Sequence, residues 1–194
     1  MRQFILVFLL AVLAACQPSG TGKQLVATDI TGADFGHELS LTDHHGQPRS
    51  LAEFKGKAVV LFFGYTHCPD VCPTTMIDLK QTMKLLGPRA DEVQVLFVTL
   101  DPERDTQAVL AQFVPSFDTR FIGLRGDESA TKLVQANFKI YAKKVEVKGK
   151  STYTLDHSAG MYVFDKKGKA STRPLNDAEK KQIIDLAKQA MGFN

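Results

Sequence analysis

Cysteine is scarce in this 194-residue chain: it has three, at positions 16, 68 and 72. That is an odd number for a protein that closes its thiols into disulfides. A dominant charge is missing too. There are 24 basic and 21 acidic residues, the formal charge is +3, and the two signs are well mixed. No basic stripe marks a nucleic-acid surface, so no nucleic-acid partner is expected. The apolar run at residues 4–13 falls short of the roughly 20 residues that a transmembrane helix needs. Repeats and low-complexity tracts are absent, which excludes solenoids and arrays. One further gap matters later: no proline lies between Pro115 and Pro174.

What is present begins with an address. Met1-Arg2 is a short positive start, and residues 4–13 have the length of a signal-peptide core. Leu13-Ala14-Ala15-Cys16 then resembles the bacterial lipobox, in which the cysteine is lipidated and becomes the new N-terminus. An ordinary signal peptide cut near Ala15, or an uncleaved anchor, would also place the domain outside the cytoplasmic membrane. The expectation is a lipoprotein signal peptide over 1–15, a flexible tether from lipidated Cys16 over 16–34, and one domain over 35–194. The protein would then be exported and held at the outer face of the cytoplasmic membrane or in the periplasm. Assigning Cys16 to lipid resolves the odd count and leaves Cys68 and Cys72 as a pair. In an oxidising compartment such a pair tends toward a disulfide unless a metal or a reductant intervenes.

The domain, about 160 residues, is long enough for a real core. Residues 35–41 and 47–51 flank a turn-rich segment and read as a hairpin. His44 and His45 at its tip are weak metal-ligand candidates. Residues 58–63 form an apolar run that reads as a buried strand. Met76, Leu79, Met83 and Leu86 then recur at helical spacing up to Gly87-Pro88. Residues 93–100 predict a second apolar strand, after which Asp105 is placed to cap a helix through Val109, Leu110, Phe113 and Val114. Residues 121–124 predict a short strand, and Asp127 a cap for the helix through Leu133, Val134 and Phe138. Strands are expected over 140–147 and 160–164. Asn176 and Glu179 resemble a capping box for a last helix through Ile183, Ile184, Ala187 and Met191. Alternating strands and helices give an α/β domain with a central mixed sheet.

The chemistry sits at Cys68 and Cys72. Both follow the first apolar strand, and Pro73 suits the first position of the next helix. A helix N-terminus favours thiolate over thiol, the form that binds metals or attacks disulfides. A strand, a cysteine pair at a helix start and later strand-helix units together suggest a thioredoxin-like fold. In that fold the loop before the late strand faces the cysteines and usually carries a cis-proline. Here that place holds Asp156-His157-Ser158. Two thiolates and an imidazole form a soft donor set suited to copper(I), and able to accept copper(II) or zinc. Asp156 could orient the loop or the ring, and Asp70 could tune the sulfurs or stabilise the turn. His67 abuts Cys68, but neighbouring side chains diverge, so His157 ranks above it.

Gly64-Tyr65-Thr66-His67-Cys68-Pro69-Asp70-Val71-Cys72-Pro73 resembles the cysteine motif of the Sco/SenC/PrrC proteins of respiratory copper delivery. Thr99 to Thr106 is similar to that family's second block, and Asp156-His157-Ser158 to its histidine block. The resemblance implies copper held by Cys68, Cys72 and His157. It also implies assistance in assembling the dinuclear copper site of cytochrome c oxidase, with an upstream copper donor or thiol reductant. A lipobox departs from members held by a transmembrane helix and changes only the mode of anchoring. Rival readings use the same cysteines. One is a thiol-disulfide oxidoreductase acting on the acceptor's copper-ligand cysteines, another a peroxidase of the peroxiredoxin type, and a third a redox or copper sensor.

Overall fold

The computed structural model describes residues 28–29, 36, 38–149, 151–158, 161–173 and 191. The leader, Cys16 and the last predicted helix therefore lie outside the described residues, apart from Met191, which is buried. Ten strands are described: β1 (Thr28–Asp29), β2 (Ser40–Asp43), β3 (Pro48–Ser50), β4 (Ala58–Gly64), β5 (Val93–Thr99), β6 (Ile122–Arg125), β7 (Ala142–Glu146), β8 (Tyr153–His157), β9 (Met161–Phe164) and β10 (Ala170–Arg173). The helices are α1 (Val71–Leu86), α2 (Gln107–Phe113) and α3 (Glu128–Asn137), with short 3-10 turns between elements.

Eight strands form one mixed sheet in the order β1-β10-β9-β4-β5-β6-β2-β3. At its centre β4 runs parallel to β5 from Ala58 opposite Val93 to Gly64 opposite Thr99. On the other side β9 pairs antiparallel with β4, Val60 opposite Val163. Every residue of β4, β5 and β9 is buried. That is why they read as unbroken apolar runs rather than alternating ones. The inward face of α1 adds Met76, Leu79, Met83 and Leu86 to the core. Phe138, at the end of α3, packs its ring against Phe63 and Tyr162 at 5.2 and 5.3 Å. The Tyr162 hydroxyl donates to the Phe138 carbonyl. This is the expected α/β thioredoxin-like architecture, a mixed sheet flanked by helices.

Several local expectations shift. The hairpin turn is tighter than expected, because Thr42 and Asp43 belong to β2. The buried Asp43 carboxylate accepts the N–H groups of His45 and Gln47 at 2.8 and 2.9 Å, closing the turn from within. Helix α1 starts at Val71, so Cys72 lies in its first turn and Pro73 is the third residue. Its missing N–H is still one of the first four, which have no intrahelical acceptor. Thr106, not Asp105, caps α2, its hydroxyl accepting from Val109 N–H at 3.3 Å. Asp127 does cap α3, accepting from Ala130 N–H at 2.7 Å. Residues 28–29, inside the segment expected as tether, pair with β10 at the sheet edge, Thr28 opposite Arg173. No sequence signal marked β10 in advance.

Candidate metal centre

The loop after β4 is wound so that backbone and side chains converge on sulfur. Cys68 N–H donates to the Tyr65 carbonyl at 3.3 Å, and Cys72 N–H points to Cys68 Sγ at 3.4 Å. Burial pushes the Cys68 thiol up. The backbone N–H groups of Asp70 and Cys72, the Cys72 side chain and the Val71 N–H outweigh it, and the net shift is downward. Cys68 is half-buried, and Cys72 is wholly buried against the core. The pair thus offers one accessible sulfur and one sheltered sulfur.

The third donor comes from a separate unit. β7 and β8 form a two-stranded sheet of their own, Ala142 opposite His157 and Glu146 opposite Tyr153. The segment expected as a loop before β9 is therefore strand β8, with His157 as its last residue. His157 Nδ1 lies 2.9 Å from the Ser158 carbonyl oxygen. A carbonyl only accepts, so in that bond Nδ1 carries the proton, and in the neutral ring Nε2 keeps its lone pair. Nε2 is 3.9 Å from Cys72 Sγ. The donor atoms of Cys68, Cys72 and His157 all lie within 4.8 Å of one another, the one such cluster among the described residues. Bond lengths of about 2.3 Å to sulfur and 2.1 Å to nitrogen place trigonal donors roughly 4 Å apart, so the donor set fits a soft metal with little adjustment. The site opens onto a shallow cavity of about 320 Å³ lined by Tyr65, Pro69, Thr154 and the donor residues Cys68 and His157.

The other expected residues fall into place around it. Asp70 and Asp156 line the same cavity, and both are exposed. The Asp70 side chain makes no cap bond. Its carbonyl accepts the Thr74 N–H and hydroxyl at 3.3 and 2.9 Å, so its visible role is in the turn. Asp156 precedes His157 in β8 and so points to the opposite face of that hairpin. His67 is more than half exposed and turned toward Asp105, with Nδ1 3.7 Å from the carboxylate. His44 is buried in the turn after β2, and its Nδ1 accepts the Gly123 N–H at 2.9 Å. The His44-His45 pair joins no metal cluster among the described residues.

Three supports escaped the sequence reading. A Cβ on Gly64 would sit 2.9 Å from Cys72 Sγ and 3.0 Å from Phe97, so glycine is what lets the buried sulfur reach its place. A glycine ending an otherwise bulky apolar strand was the available signal. Buried Asp105 accepts from Thr66 N–H at 3.0 Å, Thr66 hydroxyl at 2.6 Å and Thr99 hydroxyl at 2.6 Å. It thereby ties the cysteine loop to the end of β5. The Tyr65 hydroxyl accepts the Leu155 N–H at 3.2 Å, and its ring stands edge-on to His157 at 5.7 Å.

Fold and site together define a thioredoxin-like domain in which an imidazole joins the two sulfurs of the strand-helix turn. The sequence pattern of the SCO1/SenC family matches residues 27–192. The mitochondrial protein SCO2 homolog of Bos taurus is 35% identical over 156 residues, covering 79% of this chain and 59% of the relative. The SCO2-like protein of Rickettsia felis is 33% identical over 155 residues, covering 79% of this chain and 76% of its own length. Among solved structures, Bradyrhizobium japonicum ScoI with copper bound matches at a TM-score of 0.70 and 37% identity, covering 79% of this chain and 98% of that one. The chain belongs to the SCO1/SenC family. It spans less than two thirds of the bovine relative's length.

Proposed function

We propose that this protein is a membrane-tethered copper carrier that holds copper through Cys68 Sγ, Cys72 Sγ and His157 Nε2. The Sco family is associated with cytochrome c oxidase assembly, and the proposed acceptor is the oxidase subunit with the dinuclear copper site. The observation that carries this reading is the convergence of two sulfurs and one nitrogen within 4.8 Å at an open cavity. Copper-bound ScoI from Bradyrhizobium japonicum supports the choice of metal. Thiolate and imidazole donors suit copper(I), and three donors fall short of the four of a structural zinc site.

Copper(I) is the cargo. It passes to the acceptor by ligand exchange, incoming cysteine sulfurs replacing those of Cys68 and Cys72 without a change of oxidation state. The half-buried Cys68 is the sulfur that an acceptor reaches first. Asp70 places negative charge at the cavity mouth, where a departing cation passes. A lipid on Cys16 confines the search for a membrane enzyme and raises the effective concentration.

The test is anaerobic titration of the reduced full-length protein, in detergent, with copper(I) against a competing chelator. One tightly bound copper per chain is expected, with strong losses in Cys68→Ser and His157→Ala. No binding by the wild type would end the carrier reading.

A second reading has its own observation. An accessible thiol with a lowered pKa beside a sheltered one is the arrangement of an attacking and a resolving cysteine. As a thiol-disulfide reductase the protein would turn over a disulfide without metal, and His157→Ala would retain that activity.

A further inference from the structure

The two halves of the centre belong to different sheets. Cys68 follows β4 and Cys72 lies in the first turn of α1, whereas His157 ends a hairpin whose strands, among the described residues, pair only with each other. The distance from imidazole to sulfur is therefore set by whatever fastens the β7-β8 hairpin to the main body. Part of that fastening is the buried Leu155 side chain in the core. Lys144 of β7 pairs with Glu103, and a further part is a polar cluster at the other end of β8.

Asp101, buried, accepts from Arg104 Nε at 2.5 Å through one oxygen and from the Tyr153 hydroxyl at 2.8 Å through the other. Arg104 Nη1 donates to the Tyr153 carbonyl at 2.8 Å. The guanidinium lies 3.6 Å from the Tyr153 ring centroid and 5.8 Å from that of Tyr65. Tyr65 in turn accepts the Leu155 N–H and meets the His157 ring edge-on. The buried Arg104 Nη2 has no hydrogen-bond partner. The side chain thus holds this pose for Asp101 and the two rings, at the cost of one unsatisfied donor. A planar fork that stacks and bonds at once is a property of arginine and not of lysine.

We propose that Arg104, with Asp101 and Tyr153, is a positioning residue that clamps the β7-β8 hairpin and keeps His157 Nε2 in register with the two sulfurs. This rests on the reading of Cys68, Cys72 and His157 as the copper ligands. When the clamp is loosened, the dithiolate pair stays intact on the main body and the imidazole is lost from the donor set. The clamp at the turn end of the hairpin thereby decides whether copper(I) has two protein ligands or three.

The test is a double-mutant cycle on the reduced full-length chain in detergent, titrated with copper(I) against a chelator. Wild type, Arg104→Gln, His157→Ala and the double variant are compared. Arg104→Gln is expected to lower copper(I) affinity about 10-fold in the wild-type background and to add nothing once His157 is gone. An equal loss in both backgrounds, or no loss in the first, overturns the proposal. Tyr153→Phe keeps the ring and drops the bond to Asp101. It is expected to give a smaller loss in the same direction, and it replaces Arg104→Gln if that variant does not fold. A metal-free arm reads amide hydrogen exchange in the apo proteins. Faster exchange at Leu155 with β4 and β5 unchanged supports the clamp, and unchanged protection at Leu155 overturns it. Wild-type copper affinity in His157→Ala would instead overturn the ligand assignment, while the exchange arm still decides whether Arg104 holds the hairpin.

Discussion

Cys68 is a thiol whose surroundings compete. Burial favours the neutral form, and several N–H groups aimed at sulfur favour the thiolate and win. Alkylation of Cys68 in the reduced apo protein is therefore expected to show a pH midpoint below the value of about 8.5 for a free cysteine. Mass spectrometry of the Cys68 peptide would show it, and a midpoint at or above that of the denatured chain would contradict the assignment. Gly64 makes a second prediction. Gly64→Ala forces a methyl group to within 2.9 Å of Cys72 Sγ and 3.0 Å of a buried ring. Overpacking of this kind costs about 1–3 kcal/mol, and the displaced sulfur should weaken copper binding as well. Urea unfolding and chelator competition on the same variant would separate the two effects. Asp105 is the third residue to test. Asp105→Ala strands the Thr66 N–H and the Thr66 and Thr99 hydroxyls, a loss of about 3 kcal/mol. A shift in the denaturant midpoint measures it.

At the scale of elements, the β2-β3 hairpin depends on one carboxylate. Burial pushes the Asp43 carboxyl up, but the Gln47 N–H, the Arg49 guanidinium and the His45 N–H hold it below its ordinary value. Arg49 Nε stands 2.8 Å away. A folded pKa below the unfolded one means that the stabilisation is complete above the unfolded value of about 4 and is lost as pH falls through the folded value. Unfolding midpoints measured from pH 7 into this acid range should decline in the wild type. Asp43→Asn should be less stable at neutral pH and should decline less in acid. An identical acid profile in both would place the acid sensitivity elsewhere. The β7-β8 hairpin is the opposite case, an element fastened by few bonds that carries His157, the proposed third donor. The positions and types of β4, β5, α1 and α3 were legible because buried apolar runs and helical spacing are local signals. The pairing of β7 with β8 was not, because β7 is largely exposed, β8 is mostly half-buried, and both are mixed in polarity.

For the whole molecule, the proposed lipid on Cys16 and the metal centre are separate devices. Cys16→Ser is expected to leave copper(I) affinity unchanged while releasing the protein from the membrane fraction and slowing oxidase maturation. Membrane fractionation and an oxidase activity assay check the two halves. No helix among the described residues is long and apolar enough to cross a membrane.

The order of strands and helices, the cysteine pair at a helix start and a histidine as candidate third donor could all be read along the chain. Each depends on neighbours in sequence or on a motif of contiguous residues. Other features required the tertiary structure. Asp105 reads locally as a helix cap, yet it is a buried acceptor for two threonines, one of them 39 residues away. Gly64 reads as the end of a strand, yet it clears space for a sulfur on the next helix. The 85-position separation of Cys72 and His157 is spanned only when β9 folds back against β4 and the hairpin docks over the cysteine loop. A one-dimensional pattern records which side chains are available. Which of them meet is decided by packing, because burial pairs residues by shape and by unsatisfied hydrogen bonds rather than by their order in the chain.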